Sequence, residues 1–141
     1  MQGTLYKRLF ERLTDLIPNL TAPREGTSFY APPRVEGDIA SYCTVSKVQG
    51  SVCEVEIAQD TLVNGREQPA PWMVFRVDSA AGVAELLAME DQWRYEVVYA
   101  EDDTPNPRRS QMNLFAVNNL TAMLNLGGAF RPVDAVEPIN A

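Results

Sequence analysis

Histidine is absent from this sequence. It is the side chain that titrates nearest neutral pH and the commonest metal ligand in proteins. Its absence removes the usual general base and every Ser-His or Cys-His nucleophile pair. An ordinary structural zinc site is also excluded, because Cys43 and Cys53 are the chain's two cysteines and such sites need about four nitrogen or sulfur ligands.

Other chemical signatures are missing as well. Gly82 and the Gly127-Gly128 pair lack the spacing of a phosphate loop or a dinucleotide fingerprint. No uncharged apolar run approaches the roughly 18–20 residues that cross a bilayer. The N-terminus shows no apolar segment followed by a small-residue cleavage site. We therefore expect a cytoplasmic protein with no cofactor and no membrane association.

Positive charge is scarce. Twelve Lys and Arg residues stand against 19 Asp and Glu, which gives a formal net charge of -7. Nucleic-acid binders neutralise phosphates with basic residues, so we expect no direct contact with nucleic acid. The acidic residues either keep the protein soluble or mimic a phosphate backbone that occupies a basic groove on a partner. Both interpretations stay open.

The first half of the chain predicts a helix, a loop and a hairpin. Apolar residues recur at helical spacing over residues 5–17, and Pro18 ends the pattern. Prolines and glycines across Thr21–Gly37 indicate an extended surface loop. Two strand-like segments follow, at 39–48 and 52–59.

The second half predicts three more strands and a helix. A polar connection over Val63–Pro71 contains Asn64-Gly65, a turn dipeptide that indicates either a hairpin tip or a simple loop. Strands are predicted at Trp72–Val77, Val83–Met89 and Trp93–Ala100, although the second of these also has good helix propensity. An apolar helix follows and ends before Gly127-Gly128.

This order predicts an α+β fold in two layers. An antiparallel meander of about 4–6 strands would be packed by an N-terminal and a C-terminal helix. Residues 1–130 would form a single domain, and residues 131–141 a poorly packed C-terminal tail.

The predicted pairing of the first hairpin indicates whether Cys43 and Cys53 lie close enough to form a disulfide. If Gln49-Gly50 is a two-residue turn, paired residue numbers sum to about 99. Cys53 then opposes Ser46 and Cys43 opposes Glu56, which places the thiols on opposite faces of the sheet. A bulge would change this parity. We predict free, buried cysteines, as in a reducing compartment.

Carboxylates supply the candidate site residues. Asp78 and the Glu101-Asp102-Asp103 cluster are the predicted binding residues, and no catalytic residue is predicted. Oxygen ligands from this cluster and Asn106 resemble a calcium site in composition, but not in spacing, so a hydrated hairpin tip is favoured. Glu54 and Glu56 share one face of a strand.

The aromatic strand is the other candidate. Trp93, Tyr95 and Tyr99 on one face either stack nucleic-acid bases or form the core under the C-terminal helix. The acidic surroundings favour the core. Trp72 is likewise interpreted as packing.

Two ends of the chain resemble a known family. The first is Tyr6-x-x-Leu9-x-x-x-Leu13-x-x-Leu16-Ile17-Pro18, and the second is Gln111-x-Asn113-x-Phe115 with Leu120, Met123, Leu124 and Gly127 at matching offsets. The pattern is similar to a small YqiB-like family of uncharacterised bacterial proteins, known as a domain of unknown function. The resemblance implies the same helix, meander and helix. A Tyr-His-Asp segment of that family is Val77-Asp78-Ser79 here, so Asp78 alone remains of it.

The leading functional hypothesis is a non-catalytic, acidic binding or adaptor protein that acts through protein–protein contacts. A specific version is a phage-type inhibitor that docks on a basic, nucleic-acid-handling partner. The alternative is a carboxylate- or metal-dependent enzyme that uses Asp78, Glu85 or Glu101–Asp103. We expect the functional surface on the sheet face away from the helices, or on the loops at Thr21–Gly37 and Val63–Pro71.

Overall fold

A computed structural model describes residues 2–31, 41–63, 66–90, 95–125 and 130–132. Its elements, in chain order, are α1 (Gln2–Leu16), β1 (Ser28–Ala31), β2 (Ser41–Gln49), β3 (Val52–Val63), β4 (Arg66–Asp78), β5 (Val83–Glu90), β6 (Tyr95–Val97), α2 (Arg109–Asn125) and β7 (Arg131–Pro132). The predicted α+β fold is confirmed.

The strands form one antiparallel sheet in the order β6-β5-β4-β3-β2-β1-β7. The middle of the sheet is the predicted meander. The predicted loop over Thr21–Gly37 is wrong at Ser28–Ala31, which pairs with β2. This strand has four residues, too few for its alternation to stand out among prolines and glycines. Two residues of the predicted tail, Arg131 and Pro132, pair with β1 as well. The rest of that tail lies outside the described residues, and the single-domain boundary at residue 130 stays a prediction.

One face of the sheet, the core face, packs against both helices. Buried side chains alternate along each central strand, as a sheet with one covered face requires. They meet apolar side chains that recur every three or four residues on the helices. The buried core includes Leu9, Leu13, Leu16, Val55, Ile57, Met73, Phe75, Val77, Leu86, Met112, Ala116 and Leu120. We call the opposite side of the sheet the open face.

The register of the first hairpin differs from the prediction. The turn is Gly50-Ser51, since Gln49 pairs with Val52, and Gly50 adopts a left-handed φ of 59°. Farther along, Val45 pairs with Val55 and Lys47 with Glu54, so Ser46 is a one-residue bulge.

The bulge places both thiols on the core face. Cys43 opposes Ile57 and Cys53 opposes Val48, so the prediction of opposite faces is wrong. The turn lies one residue later than predicted, which changes the sum of paired residue numbers by two and leaves each residue on its predicted face. The extra residue Ser46 changes the sum by one, and this moves Cys43 to the same face as Cys53. Ile57 lies four residues from Cys53, about 13 Å along the strand, which is too far for a disulfide. Both cysteines are free and buried, as predicted.

The second hairpin is longer than predicted. Val63 pairs with Arg66, so strand pairing continues up to both sides of Asn64-Gly65, a dipeptide outside the described residues. Most of the predicted polar connection therefore belongs to β4. The strand prediction at Val83–Met89 is confirmed despite its helix propensity, because Ala84 and Leu86 enter the core at alternate positions and Met89 packs against it after a register irregularity.

Within the predicted strand Trp93–Ala100, the structure shows a strand at Tyr95–Val97 that ends three residues before the predicted end, and Trp93 lies outside the described residues. The chain then bends. Val98 is completely buried, and its N–H donates to the Leu87 carbonyl oxygen at 2.7 Å. Val98 therefore lies in the core, while Tyr95 and Val97, at alternate positions before it, are exposed.

Helix α2 replaces a strand beside the first half of β5. In this part of β5, β6 is no longer paired with it, and the buried side chain of Asn113 on α2 forms a hydrogen bond with the backbone of β5 instead. Its Oδ1 accepts the Leu86 N–H at 2.8 Å, and its Nδ2 donates to the Arg109 carbonyl oxygen at 2.9 Å. Phe115, part of the family-like pattern in this helix, is 45% exposed. The predicted end of the helix, Gly127-Gly128, lies outside the described residues.

Candidate binding face

Four aromatic residues lie in one row across the open face. The strand register places six residues directly opposite one another, from β1 to β6: Tyr30, Tyr42, Ala58, Trp72, Glu90 and Tyr95. We call this the aromatic row. The Tyr30 and Tyr42 ring centroids are 5.2 Å apart, and those of Trp72 and Tyr95 are 5.9 Å apart and stacked.

The aromatic row is exposed to a degree that packing alone does not explain. Tyr42 is 41% exposed and Tyr95 is 54% exposed, and Val97, two residues from Tyr95 on β6, is 38% exposed. The exposed rings belong to two aromatic pairs, Tyr30 with Tyr42 and Trp72 with Tyr95, and clustered exposed apolar side chains mark interaction sites. The prediction that Tyr95 forms core under the C-terminal helix is therefore wrong. Trp72 does pack, as predicted, but against Tyr95 on the open face.

Two carboxylates accompany the Trp72–Tyr95 pair. The indole N–H of Trp72 donates to Glu56 Oε1 at 3.2 Å. Glu90 lies between the two rings in the row, opposite both Trp72 and Tyr95. We call these four residues the aromatic–carboxylate cluster.

A ladder of alternating charge crosses the same face nearer the Gly50-Ser51 turn. Lys47, Glu54, Arg76 and Glu85 oppose one another in that order across β2–β5. Opposite charges directly across a strand pair stabilise the register by about 0.2–1 kcal/mol each. The ladder therefore supports the pairing near the turn, and register irregularities between Val45 and Lys47 and between Val74 and Phe75 separate it from the aromatic row.

Glu85 is the centre of a polar network at the end of this ladder. Its Oε1 pairs with Arg76. Its Oε2 accepts the Tyr99 hydroxyl at 2.7 Å and lies 3.4 Å from an Arg109 guanidinium nitrogen. Burial raises the pKa of Tyr99, and the hydrogen bond to Glu85 adds to this. Arg109 also lies over two rings, 5.3 Å from the centroids of Tyr6 and Tyr99. The network joins α1, β5 and α2.

Two shallow grooves lie on this side. The first has a volume of about 620 Å³ and is lined by the charge ladder together with Tyr6, Asp78 and Arg109. The second has a volume of about 630 Å³, and its lining includes Arg76, Tyr95, Val97, Tyr99 and Asp103. Arg76 lines both, so the grooves adjoin.

The predicted site residues do not form one centre. Asp78 lines the first groove and also holds the β4–β5 turn, where its Oδ1 accepts the Ala81 N–H at 3.1 Å and the Ser51 hydroxyl at 3.3 Å. Asp103 lines the second groove and has a left-handed φ of 65°. Glu101 and Asp102 are exposed beside it.

The acidic turn is held by its own hydrogen bonds. The Thr104 hydroxyl and backbone N–H lower the pKa of Asp102, with the N–H at 3.1 Å from Oδ1. Asn106 points elsewhere: its Oδ1 accepts the Arg108 N–H at the start of α2, and its Nδ2 donates to the Val97 carbonyl oxygen. Among the described residues, no group of three or more Cys, Asp or Glu side chains is placed to hold a metal ion.

Comparisons with protein-family models, with curated proteins and with solved structures found no match. The resemblance to the YqiB-like family stays a prediction. Within the described ranges, no helix has the length and apolar character needed to cross a membrane.

Proposed function

We propose that this chain is a non-catalytic, acidic binding protein that acts through protein–protein contacts, and that the open face binds the partner. The observation that carries the proposal is the aromatic row. Tyr and Trp are enriched at the energetic centres of protein interfaces because they bury large areas at low entropic cost. Four such rings in register are more than the sheet needs for its own packing.

The size of the open face suits a protein partner. Six strands spaced about 4.8 Å apart span ~24 Å, and the seven residues from Val52 to Ala58 span ~20 Å. Their product is on the order of 500 Å² before the relief of side chains is added. A standard interface buries about 800 Å² per partner, so the face and its rim supply the required order of area.

Charge supports a basic partner. Among the strand residues whose side chains the structure describes, carboxylates on this face outnumber cations by three, with Glu54, Glu56, Asp78, Glu85 and Glu90 against Lys47 and Arg76. The chain as a whole carries -7. Complementary charge raises association rates and selects partners. A phage-type inhibitor of a nucleic-acid-handling protein is the narrower form of this proposal. The buried free thiols support a cytoplasmic location.

The enzyme alternative has weaker support. The first groove does bring Asp78 and Glu85 into one lining. However, both Glu85 oxygens already bind Arg or Tyr groups, and Asp78 holds a turn. A carboxylate acid–base pair needs groups that are free to exchange a proton with substrate.

Matched double substitutions test the proposal. The open-face variant Tyr42→Ser/Tyr95→Ser removes rings that are 41% and 54% exposed, and the control Leu114→Ser/Phe115→Ser removes side chains on α2 that are 48% and 45% exposed. Each tagged protein, with its fold checked by circular dichroism, is used to capture partners from lysate of the source cells. Quantitative mass spectrometry then compares captures at about 50 and 500 mM salt.

We expect the wild type and the α2 control to capture the same basic protein at low salt. The open-face variant should lose at least about tenfold of it, because hot-spot aromatics each contribute on the order of 1–2 kcal/mol or more. High salt should weaken capture. Equal capture by the open-face variant, or loss only in the α2 control, would place the binding surface elsewhere and refute the proposal.

A further inference from the structure

We propose that the aromatic–carboxylate cluster is the subsite for an arginine side chain of the partner protein. This inference rests on the proposed function and assigns a chemical role to one end of the aromatic row. The cluster consists of Trp72 and Tyr95, stacked at 5.9 Å, and the carboxylates Glu56 and Glu90.

The chain contains a filled example of the same combination. At the end of the charge ladder, Arg109 lies 5.3 Å from the ring centroids of Tyr6 and Tyr99, and its guanidinium pairs with Glu85. That site comprises two aromatic rings, a carboxylate and a guanidinium. The cation that joins two rings and a carboxylate there is a guanidinium, although its rings do not stack on each other as Trp72 and Tyr95 do.

Among the described residues, the aromatic–carboxylate cluster has the rings and carboxylates but no cation in contact with them. Within the part of the chain that the structure describes, the cation–π contacts involve Tyr6 and Tyr99 only, and the salt bridges involve neither Glu56 nor Glu90. One oxygen of Glu56 accepts the Trp72 indole, which leaves the carboxylate with further acceptor capacity. Glu90 is exposed.

Geometry favours arginine over lysine or a methylated lysine. The rings of Trp72 and Tyr95 are inclined by 27° and stack on each other, so they present flat outer surfaces rather than a cage around a gap. A planar guanidinium stacks on such a surface and turns its fork of N–H donors toward adjacent carboxylates. An ammonium group has no plane to stack and makes no bidentate pair.

The test uses two defined peptides of equal length and charge, acetyl-Gly-Arg-Gly-Arg-Gly amide and its lysine counterpart. Each is titrated into the full ¹⁵N-labelled chain, and the Trp72 indole N–H resonance is followed. Variant Glu56→Gln/Glu90→Gln removes the cluster's two charges. Control Glu11→Gln/Asp15→Asn removes two charges from exposed positions on α1, so that the net charge changes equally.

We expect the arginine peptide to shift the Trp72 indole resonance and to bind at least about fivefold more tightly than the lysine peptide. The cluster variant should lose about tenfold in affinity, and the α1 control less than about twofold. Equal affinity for both peptides, or equal loss in both variants, would show nonspecific attraction and overturn the inference.

Capture from lysate separates this inference from the proposed function. If Glu56→Gln/Glu90→Gln retains the partner while Tyr42→Ser loses it, the arginine subsite is refuted and the docking face stands. If both substitutions retain the partner, both proposals fail. Loss in both supports both.

Discussion

Replacing Asn113 with alanine should lower the free energy of unfolding by about 2–3 kcal/mol. The Leu86 N–H is buried and its partner is Asn113 Oδ1, so truncation leaves a donor without an acceptor, at a cost of about 1–3 kcal/mol. Loss of the hydrogen bond from Nδ2 to the Arg109 carbonyl adds about 1 kcal/mol. The higher helix propensity of alanine returns roughly 0.5 kcal/mol.

The matched control is Asn118→Ala, an exposed position on the same helix. Urea unfolding followed by circular dichroism measures both variants, and we expect the control to lie within about 0.5 kcal/mol of wild type. At about 4 °C per kcal/mol for a chain of this size, the Asn113 variant should melt roughly 8–12 °C lower. Hydrogen exchange at the Leu86 amide should accelerate. If the two alanine variants are equally stable, the side chain does not secure the edge of β5 and the reasoning is wrong.

Three further outcomes follow from the hydrogen bonds and burial described above. Burial raises the pKa of Cys43 and of Cys53. N-ethylmaleimide at about pH 8 should therefore label neither thiol in the folded chain and both thiols in urea, as measured by intact mass. Rapid labelling of the folded chain would contradict this. Tyr99→Phe removes the 2.7 Å hydrogen bond to Glu85 and should destabilise by about 1–2 kcal/mol, whereas exposed Tyr95→Phe should not. Hydrogen bonds from Thr104 lower the pKa of Asp102 from 3.8, so its stabilising contribution is fully present above that value and disappears as pH falls through the folded value. Urea unfolding of wild type and Asp102→Asn should therefore converge in acid, and a difference that does not vary with pH would argue against this role.

The helices and β5 could be predicted because their signals are local. The apolar spacing before Pro18 is visible within α1, and alternation within Val83–Glu90 identifies a strand even where helix propensity competes. Burial of alternate side chains outweighs propensity differences of a few tenths of a kcal/mol per residue.

The aromatic row could not be predicted because it depends on register across six strands. Tyr42 and Trp72 are 30 positions apart in the sequence, and they align only once the bulge at Ser46 and the irregularity near Ala58 are fixed. Tyr95 was misplaced for a related reason. The direction of its side chain is set by the pairing of Tyr95 with Glu90 across β5 and β6, which the local composition does not reveal.

The sequence predicts Asp78 as a site residue, and Asp78 does line a groove. The sequence does not show that Glu85, in the same groove, is the centre of a polar network. Glu85 is surrounded by Arg76, Tyr99 and Arg109, which come from three separate parts of the chain. Only the folded arrangement brings them together.

The unpaired Ser46 determines which face of the sheet each earlier residue of β2 occupies. Every residue of β2 before it is shifted by one relative to β3, so deletion of Ser46 would exchange the two faces of that segment. Tyr42 would then turn inward and Cys43 outward. Substitution of the exposed Ser46 should be tolerated, whereas its deletion should not, so this position constrains the length of the chain and leaves its chemistry free.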